Sequence, residues 1–551
     1  MRAERAVFVG IAALGAAGCA LGLLNPPNEG LVGDSTHQVF DLIRVFLTTC
    51  MILTLVLGPG ILFRIWRRGG GPSLGFLFLP GLALMVAAGV VTWLLADRAD
   101  PRLIASLCSA PVLVVVLLGS LALDGGDVFD GEERRALFVV GCTLGFAISR
   151  ALWSLGPEGE LYAGTISRTL EVGDRSDSRI SFILPQLAAH GISPHSEEGA
   201  AYFLPYDFSS RGPLPGLAAT PVTLMSGGTP PIGIAEQPWR PFDAQGFMAY
   251  RLTMMVLAST AFLSVWELGK RLGGSAVAWV ALLLAATTPF LITEVWFTWP
   301  KLMGASLVVL GAVRIVERKP WQSGLLVGAG YLMHPSELLP LAGISLVALW
   351  PLKGARWRRP NVAVALVAWR IVNLNDYSLS NFVEYLTSNG TEANPPLGGW
   401  LLYRLASFGN TLVPMLVPFV DAHDLTLNAV VGPDTGHSPF IIHFFFQYWT
   451  TLPFGIGIVF FPLLLISLWK AFKRWRWPVV AGIIVPFVAF AIYWGGSRTG
   501  MMREGLQAWT LVVLATVAAQ QGADGFPWFR SKWVRVVLVI RACELLFVAL
   551  R

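Results

Sequence analysis

The 551 residues are 54% hydrophobic and only 13% charged, with a mean hydropathy of +0.62. That charge fraction is roughly half the average for soluble domains, which excludes a water-soluble globular enzyme and indicates a polytopic membrane protein. The formal net charge of +6 does not point to nucleic acid, because the basic residues fall in short loops and form no single patch.

A hydrocarbon core requires about 20 apolar residues per helix. On that measure spans are predicted near residues 6–24, 40–65, 73–96, 102–123 and 136–155, then 247–268, 275–298, 301–316, 320–334, 337–351 and 361–373, and finally 447–469, 477–495, 505–521 and 534–550. The first run contains AAGC at residues 16–19 but stays apolar after it (ALGLL), which favours an uncleaved span over a signal peptide. All five cysteines lie inside apolar runs, so no structural disulfide is expected.

Charge tests this threading. With the N-terminus inside, the inward turns carry Arg67 and Arg68, Arg134 and Arg135, Lys270 and Arg271, Arg318 and Lys319, Lys353 to Arg359, Lys470 to Arg476, and Arg530 to Arg535. Every inward turn is basic, as the positive-inside rule requires, and the polar segments 156–246 and 374–446 fall outside. The expected fold is an all-α integral membrane protein of about 13–15 transmembrane helices, with a large first extracytoplasmic loop carrying juxtamembrane helices. Residues 1–135 form an N-terminal block of four spans, 136–521 the core, and 522–551 a closing segment. The sequence has no Walker loop and no strand-linked GxGxxG, which argues against direct use of ATP or a Rossmann-bound cofactor.

The first outer loop holds the most informative stretch. From Asp177, Ile180, Ile183, Leu184, Leu187 and Ala188 form one apolar face at helical spacing, with Ser176 or Asp177 as cap and Gly191 as stop. Pro185 should kink this helix. Such a helix is expected to lie in the membrane interface and hold Asp174 and Asp177 at the water–lipid boundary. The segment 212–228, with Arg211 just before it, is expected to lie on the interface as well.

Further polar residues gather on the same side. Glu294 and Lys301 fall near the outer surface in TPFLITEVWFTWPK, and an acid inside an apolar segment is costly enough to face a polar cavity. His334 stands at the next outer turn, where a hydrogen-bonding or phosphate-facing role fits better than metal binding. Arg498 and Arg503 flank the mouth of span 505–521, either snorkelling or forking a phosphate. A carboxylate there can act as general base, and the cations can stabilise a departing phosphate. The pocket suits a substrate with an apolar tail, an interfacial phosphate and a polar head.

Several stretches across residues 136–521 resemble the polytopic glycosyltransferases of the GT-C superfamily. They are DSRISFILPQLAAHG (177–191), SSRGPLPGL (209–217), YRLTMMVLASTAFLSVWELGKRLGG (250–274) and GLLVGAGYLMHPSELL (324–339). That superfamily includes protein O-mannosyltransferases and aminoarabinose transferases. The resemblance implies inverting transfer of a sugar from a polyprenyl-phosphate donor to a glycan, lipid or protein acceptor, at the outer face of a bacterial plasma membrane. It assigns the catalytic base to Asp177, with Asp174 as fallback, a second acid to Glu294, and a phosphate-side cation to Arg503. A divalent cation (Mg or Mn) is left open. A transporter or flippase of lipid-linked saccharides would use the same cavity without breaking a bond, and would require charged, broken helices near the midplane.

Overall fold

The structure, a computed structural model, describes residues 3–24, 35–67, 71–122, 128–153, 175–194, 196–203, 212–228, 244–296, 299–334, 452–458, 460–474, 480–494 and 505–523, with isolated positions near 405–412 and 536–544. Among the described residues every regular element is helical and no strand occurs. Five helices are long and apolar enough to cross a membrane: Ala6–Leu24, Leu42–Trp66, Leu74–Leu95, Pro101–Ala122 and Gly246–Ala286. Pro289–Trp296 and Lys301–Val316, bent by 120° at their junction, make a sixth if counted as one span. The chain is an all-α integral membrane protein. The spans expected at 337–351, 361–373 and 534–550 lie wholly or largely outside the described residues, as does nearly all of the second outer loop.

The chain divides into two compact units, Met1–Thr260 with Val295–Pro300, and Ala261–Glu294 with Lys301–Arg551. In the first, α1 (Ala3–Leu24), α2 (Ser35–Trp66), α3 (Leu79–Leu95) and α4 (Pro101–Ala122) pack as a block. Next comes α5 (Gly131–Trp153), which opens with a capping box. Asp130 Oδ1 accepts the Glu133 N–H at 2.7 Å, while Glu133 Oε2 accepts the Asp130 N–H at 3.2 Å. The same Glu133 oxygen takes Arg64 Nη2 at 2.6 Å, fastening α5 to the end of α2.

The polar segment 156–246, expected outside, supplies α6 (Arg175–Ala189), α7 (Glu197–Ala201) and α8 (Leu214–Met225). Helices α6 and α8, expected along the membrane interface, are also packed against protein. The two pack into the N-terminal block, α8 against α3, α4 and α6, and α6 against α3 as well. The reason is composition: Pro215 to Met225 is buried without exception, because a helix apolar all round has no face to give to water. On α6, Ser181, Phe182 and Pro185 are buried beside the predicted face of Ile183, Leu184, Leu187 and Ala188. The helix starts at Arg175, so Asp177 lies in its first turn and is not the cap, and it continues through Pro185.

Its end follows the expectation. Gly191 adopts φ +67°, with its N–H donating to Ala188 O at 3.4 Å and that of Ile192 to Leu187 O at 3.0 Å. This is a Schellman closure, and Ile192 packs on Ile183, Leu187 and Phe203 as that motif favours.

Close approach fixes the seat of α8. A Cβ at Gly89 of α3 would stand 2.1 Å from Leu217 O. Gly89→Ala is therefore expected to lower stability by about 1–3 kcal/mol, the usual cost of overpacking. Thermal unfolding of the purified protein checks this, and an unchanged midpoint would mean that α8 can back away.

The helix α9 (Ala244–Ala286) is interrupted at Gly273 and Gly274, the latter at φ +80°, which breaks it where the basic turn at Lys270 and Arg271 was expected. In the second unit, α10 (Pro289–Trp296) leads to α11 (Lys301–Val316), which turns within three residues into α12 (Pro320–Met333). Both hairpin helices begin and end within a residue of the predicted spans. Beyond lie α13 (Leu452–Ile456), α14 (Phe460–Arg474), a π-turn at Val480–Ile484, α15 (Val485–Trp494) and α16 (Gln507–Ala523). Thus the single span expected at 447–469 is interrupted at Gly457. Helix α16 packs on both α11 and α14.

The α11–α12 turn is held by charge. Glu317 accepts Arg271 at 2.8 Å and Lys319 at 3.1 Å, and it also pairs with Arg314. Arg271 reaches Glu267 at 3.2 Å. Burial alone would raise the Glu317 carboxyl, but hydrogen bonds from Arg314 and Lys319, with the charges of Arg314 and Arg271, outweigh it and hold the group below its usual range.

Candidate functional site

Glu294, Lys301 and His334 come together in the second unit through the hairpin. Lys301 opens α11 and His334 closes α12, so an antiparallel pair with a three-residue turn puts them at the same end. Their helices meet closely there, since a Cβ at Gly330 would lie 3.0 Å from Gly304 O. His334 takes an extended backbone and donates its N–H to Gly330 O at 3.1 Å, ending the helix.

Glu294 belongs to the last turn of α10, before the 120° bend into α11. Its Oε2 accepts Gln507 Nε2 at 2.9 Å, and Gln507 begins α16, which packs along α11. All three predicted residues are enclosed, Lys301 at 1% exposure, Glu294 at 3% and His334 at 6%. A carboxylate, an ammonium, an imidazole and an amide thus collect at one end of the α11–α12–α16 group. The charged turn at Glu317 to Lys319 occupies the other end. In such an enclosed setting a carboxylate can take a proton, and the cations can face an anion with little screening by water.

The other predicted residues are placed differently. Asp177 lies in the first unit, in the first turn of α6. Asp174, Arg211, Arg498 and Arg503 lie outside the described residues. For the divalent cation left open above, no group of three or more His, Cys, Asp or Glu is placed to hold a metal among the described residues.

Two residues were not singled out from the sequence. Gln507 sits at the start of an apolar run, four residues after Arg503, and nothing in that position distinguishes it from a boundary residue. Arg541 carried a readable signal, a charge inside VVLVIRACELLF. It is fully buried, and its Nη1 donates to Ile456 O at 2.9 Å. Its Nη2 donates to Leu284 O at 3.1 Å and Thr288 Oγ1 at 2.6 Å, and Nε to Thr287 Oγ1 at 2.9 Å. The guanidinium also lies 4.7 Å over the Phe460 ring. Arg541 therefore closes two helix ends at once, those of α9 and α13, where carbonyls have no helical partner.

No family model, curated protein or solved structure matches the chain.

Proposed function

We propose that the chain is an integral-membrane glycosyltransferase that moves a sugar from a polyprenyl-phosphate donor to an acceptor at the extracytoplasmic face. One observation carries this reading: buried Lys301 and His334 stand at the end of the hairpin opposite its basic turn, and buried Glu294, in the turn of helix just before it, is bonded to Gln507. If that turn faces the cytoplasm, as the positive-inside rule directs, the cluster belongs to the outer side. In the proposed reaction an acceptor hydroxyl attacks the anomeric carbon and gives its proton to Asp177, while the bond from that carbon to the phosphate oxygen breaks. Glu294 is the second acid. Lys301 and His334, with Arg211, Arg498 and Arg503, are the groups assigned to the departing lipid phosphate.

The test is transfer by the purified protein from a polyprenyl-phosphate sugar to an acceptor. Asp177→Asn should abolish turnover, by about 10²–10⁴-fold for a lost general base, while donor binding persists. Unchanged turnover in that variant removes Asp177 from the mechanism.

A second reading, transport of a lipid-linked saccharide, is favoured by one feature. The expected span 275–298 is broken at Thr287 and Thr288, mid-span, with the buried Arg541 bonded to both threonines. Proteoliposomes separate the two readings: a transporter moves the lipid-linked saccharide across the bilayer and leaves its sugar attached.

A further inference from the structure

Within the first unit, α1, α2, the end of α8 and the start of α9 border a partly open cleft of about 250 Å³, its mouth included. Helices α1 and α8 meet closely beside it, since a Cβ at Gly22 would stand 2.0 Å from Met225 O. Leu21, Leu47 and Met248 supply apolar walls, and Arg44, Thr48 and Ser226 the polar lining. Arg44 and Thr48 are four residues apart on α2 and therefore share one face. Ser226 Oγ is committed to Thr223 O at 2.8 Å.

Thr48 is 5% exposed, yet among the described residues its hydroxyl has no hydrogen bond. Its neighbours on the same helix behave otherwise. Thr49 Oγ1 donates to Val45 O at 2.7 Å and Thr54 Oγ1 to Cys50 O at 2.8 Å, which is how a threonine satisfies its donor inside an apolar helix. Thr48 makes no such bond and lines the cleft instead. A hydroxyl so enclosed costs stability unless something completes it.

Arg44 is half-buried, and among the described residues its guanidinium has no hydrogen bond, ion pair or ring contact. It is the third residue of the apolar span Leu42–Trp66. A charge inside a span is costly and either reaches water or faces a partner. With the basic turns inside, α2 begins at the outer rim, which puts Arg44 at the depth of lipid headgroups. Leu42, Ile43 and Phe46 beside it are about half exposed, an apolar surface for chains to cover.

A guanidinium and a hydroxyl on one helix face can both donate to a phosphate, and the uncompensated positive charge favours a ligand with net negative charge. The adjoining apolar face suits a phosphate that carries acyl chains. We propose that Arg44 and Thr48 hold the headgroup phosphate of an anionic phospholipid in this cleft, with its chains along Leu42, Ile43 and Phe46. The lipid is a resident of the N-terminal block and not a substrate, so the site stands independently of the glycosyltransferase reading.

The test is the thermal midpoint of the purified full-length protein, stripped of lipid in neutral detergent, with increasing phosphatidylglycerol. The wild-type midpoint should rise with the lipid, and phosphatidylcholine should raise it far less. Arg44→Gln should weaken the apparent affinity for phosphatidylglycerol by about tenfold, and Thr48→Val severalfold. Without lipid, Arg44→Gln should melt with the wild type, because it removes a group that has no partner in the protein. The weakened response then cannot come from misfolding. An unaltered response in both variants, or none in the wild type, overturns the site. Equal shifts with phosphatidylcholine overturn the anionic headgroup. An equal shift with inorganic phosphate overturns the lipid and leaves a free-anion site. Tighter binding of polyprenyl phosphate than of phosphatidylglycerol overturns the resident lipid and makes the cleft a donor site.

Discussion

Replacing Arg541 with methionine is expected to destabilise the folded protein by about 3–5 kcal/mol, read as a lowered thermal unfolding midpoint. Methionine approximates the length of the side chain but supplies no donor. Ile456 O would then be left without a partner, and Leu284 O would keep only the threonine hydroxyls, in a region where water cannot replace the guanidinium. Glu544 would lose its nearby cation while its Oε1 still accepts the Ile458 N–H at 3.1 Å. Thr287 and Thr288 would suffer less, since both hydroxyls also donate to helix carbonyls, at 2.7 and 2.6 Å. Adding Glu544→Leu to Arg541→Met should recover part of the loss, because the unpaired charge is then removed as well. A midpoint equal to that of wild type would show that the ends of α9 and α13 are closed by other means.

Glu294→Gln is expected to lower sugar transfer by about 10²–10⁴-fold while leaving the unfolding midpoint near that of wild type. The substitution keeps the volume, and the new amide oxygen can still accept from Gln507 Nε2, now 2.9 Å from the carboxylate. What it removes is the negative charge and the ability to take a proton. A purely structural Glu294 would therefore tolerate glutamine in both measurements, and full turnover in the variant would exclude this carboxylate from the chemistry. A fall in stability with proportionate loss of activity would instead assign it to packing.

Much of the hairpin was readable from the sequence. Helices α11 and α12 match the predicted spans because Pro300 and Pro320 fix their starts and a charged tripeptide separates them. Gly191 was readable as a stop, since only a residue tolerant of positive φ closes α6 with the bonds seen at Ala188 and Leu187. The cluster of Glu294, Lys301 and His334 was readable residue by residue, as charge or imidazole beside apolar runs.

What escaped was set by partners distant in the chain. Helical periodicity gives α6 one buried face, but Ser181 and Pro185 are buried by α8 and its neighbours, which periodicity does not contain. The break at Thr287 and Thr288 was readable only as far as Pro289, which disfavours helix at the residue before it; the guanidinium that bonds both threonines comes from Arg541, 254 residues after Thr287. Gln507 likewise acquires its role only from a carboxylate 213 residues distant.

The chain passes between its two units three times, after Thr260, after Glu294 and after Pro300. A polypeptide stopped at Thr260 would lack the hexapeptide that includes Trp296, whose ring lies 6.2 Å from that of Phe146. One stopped at Pro300 would drag the orphaned stretch 261–294 with it. No scissile bond therefore yields two autonomous halves, and during synthesis the first unit stays unfinished until part of the second has left the ribosome.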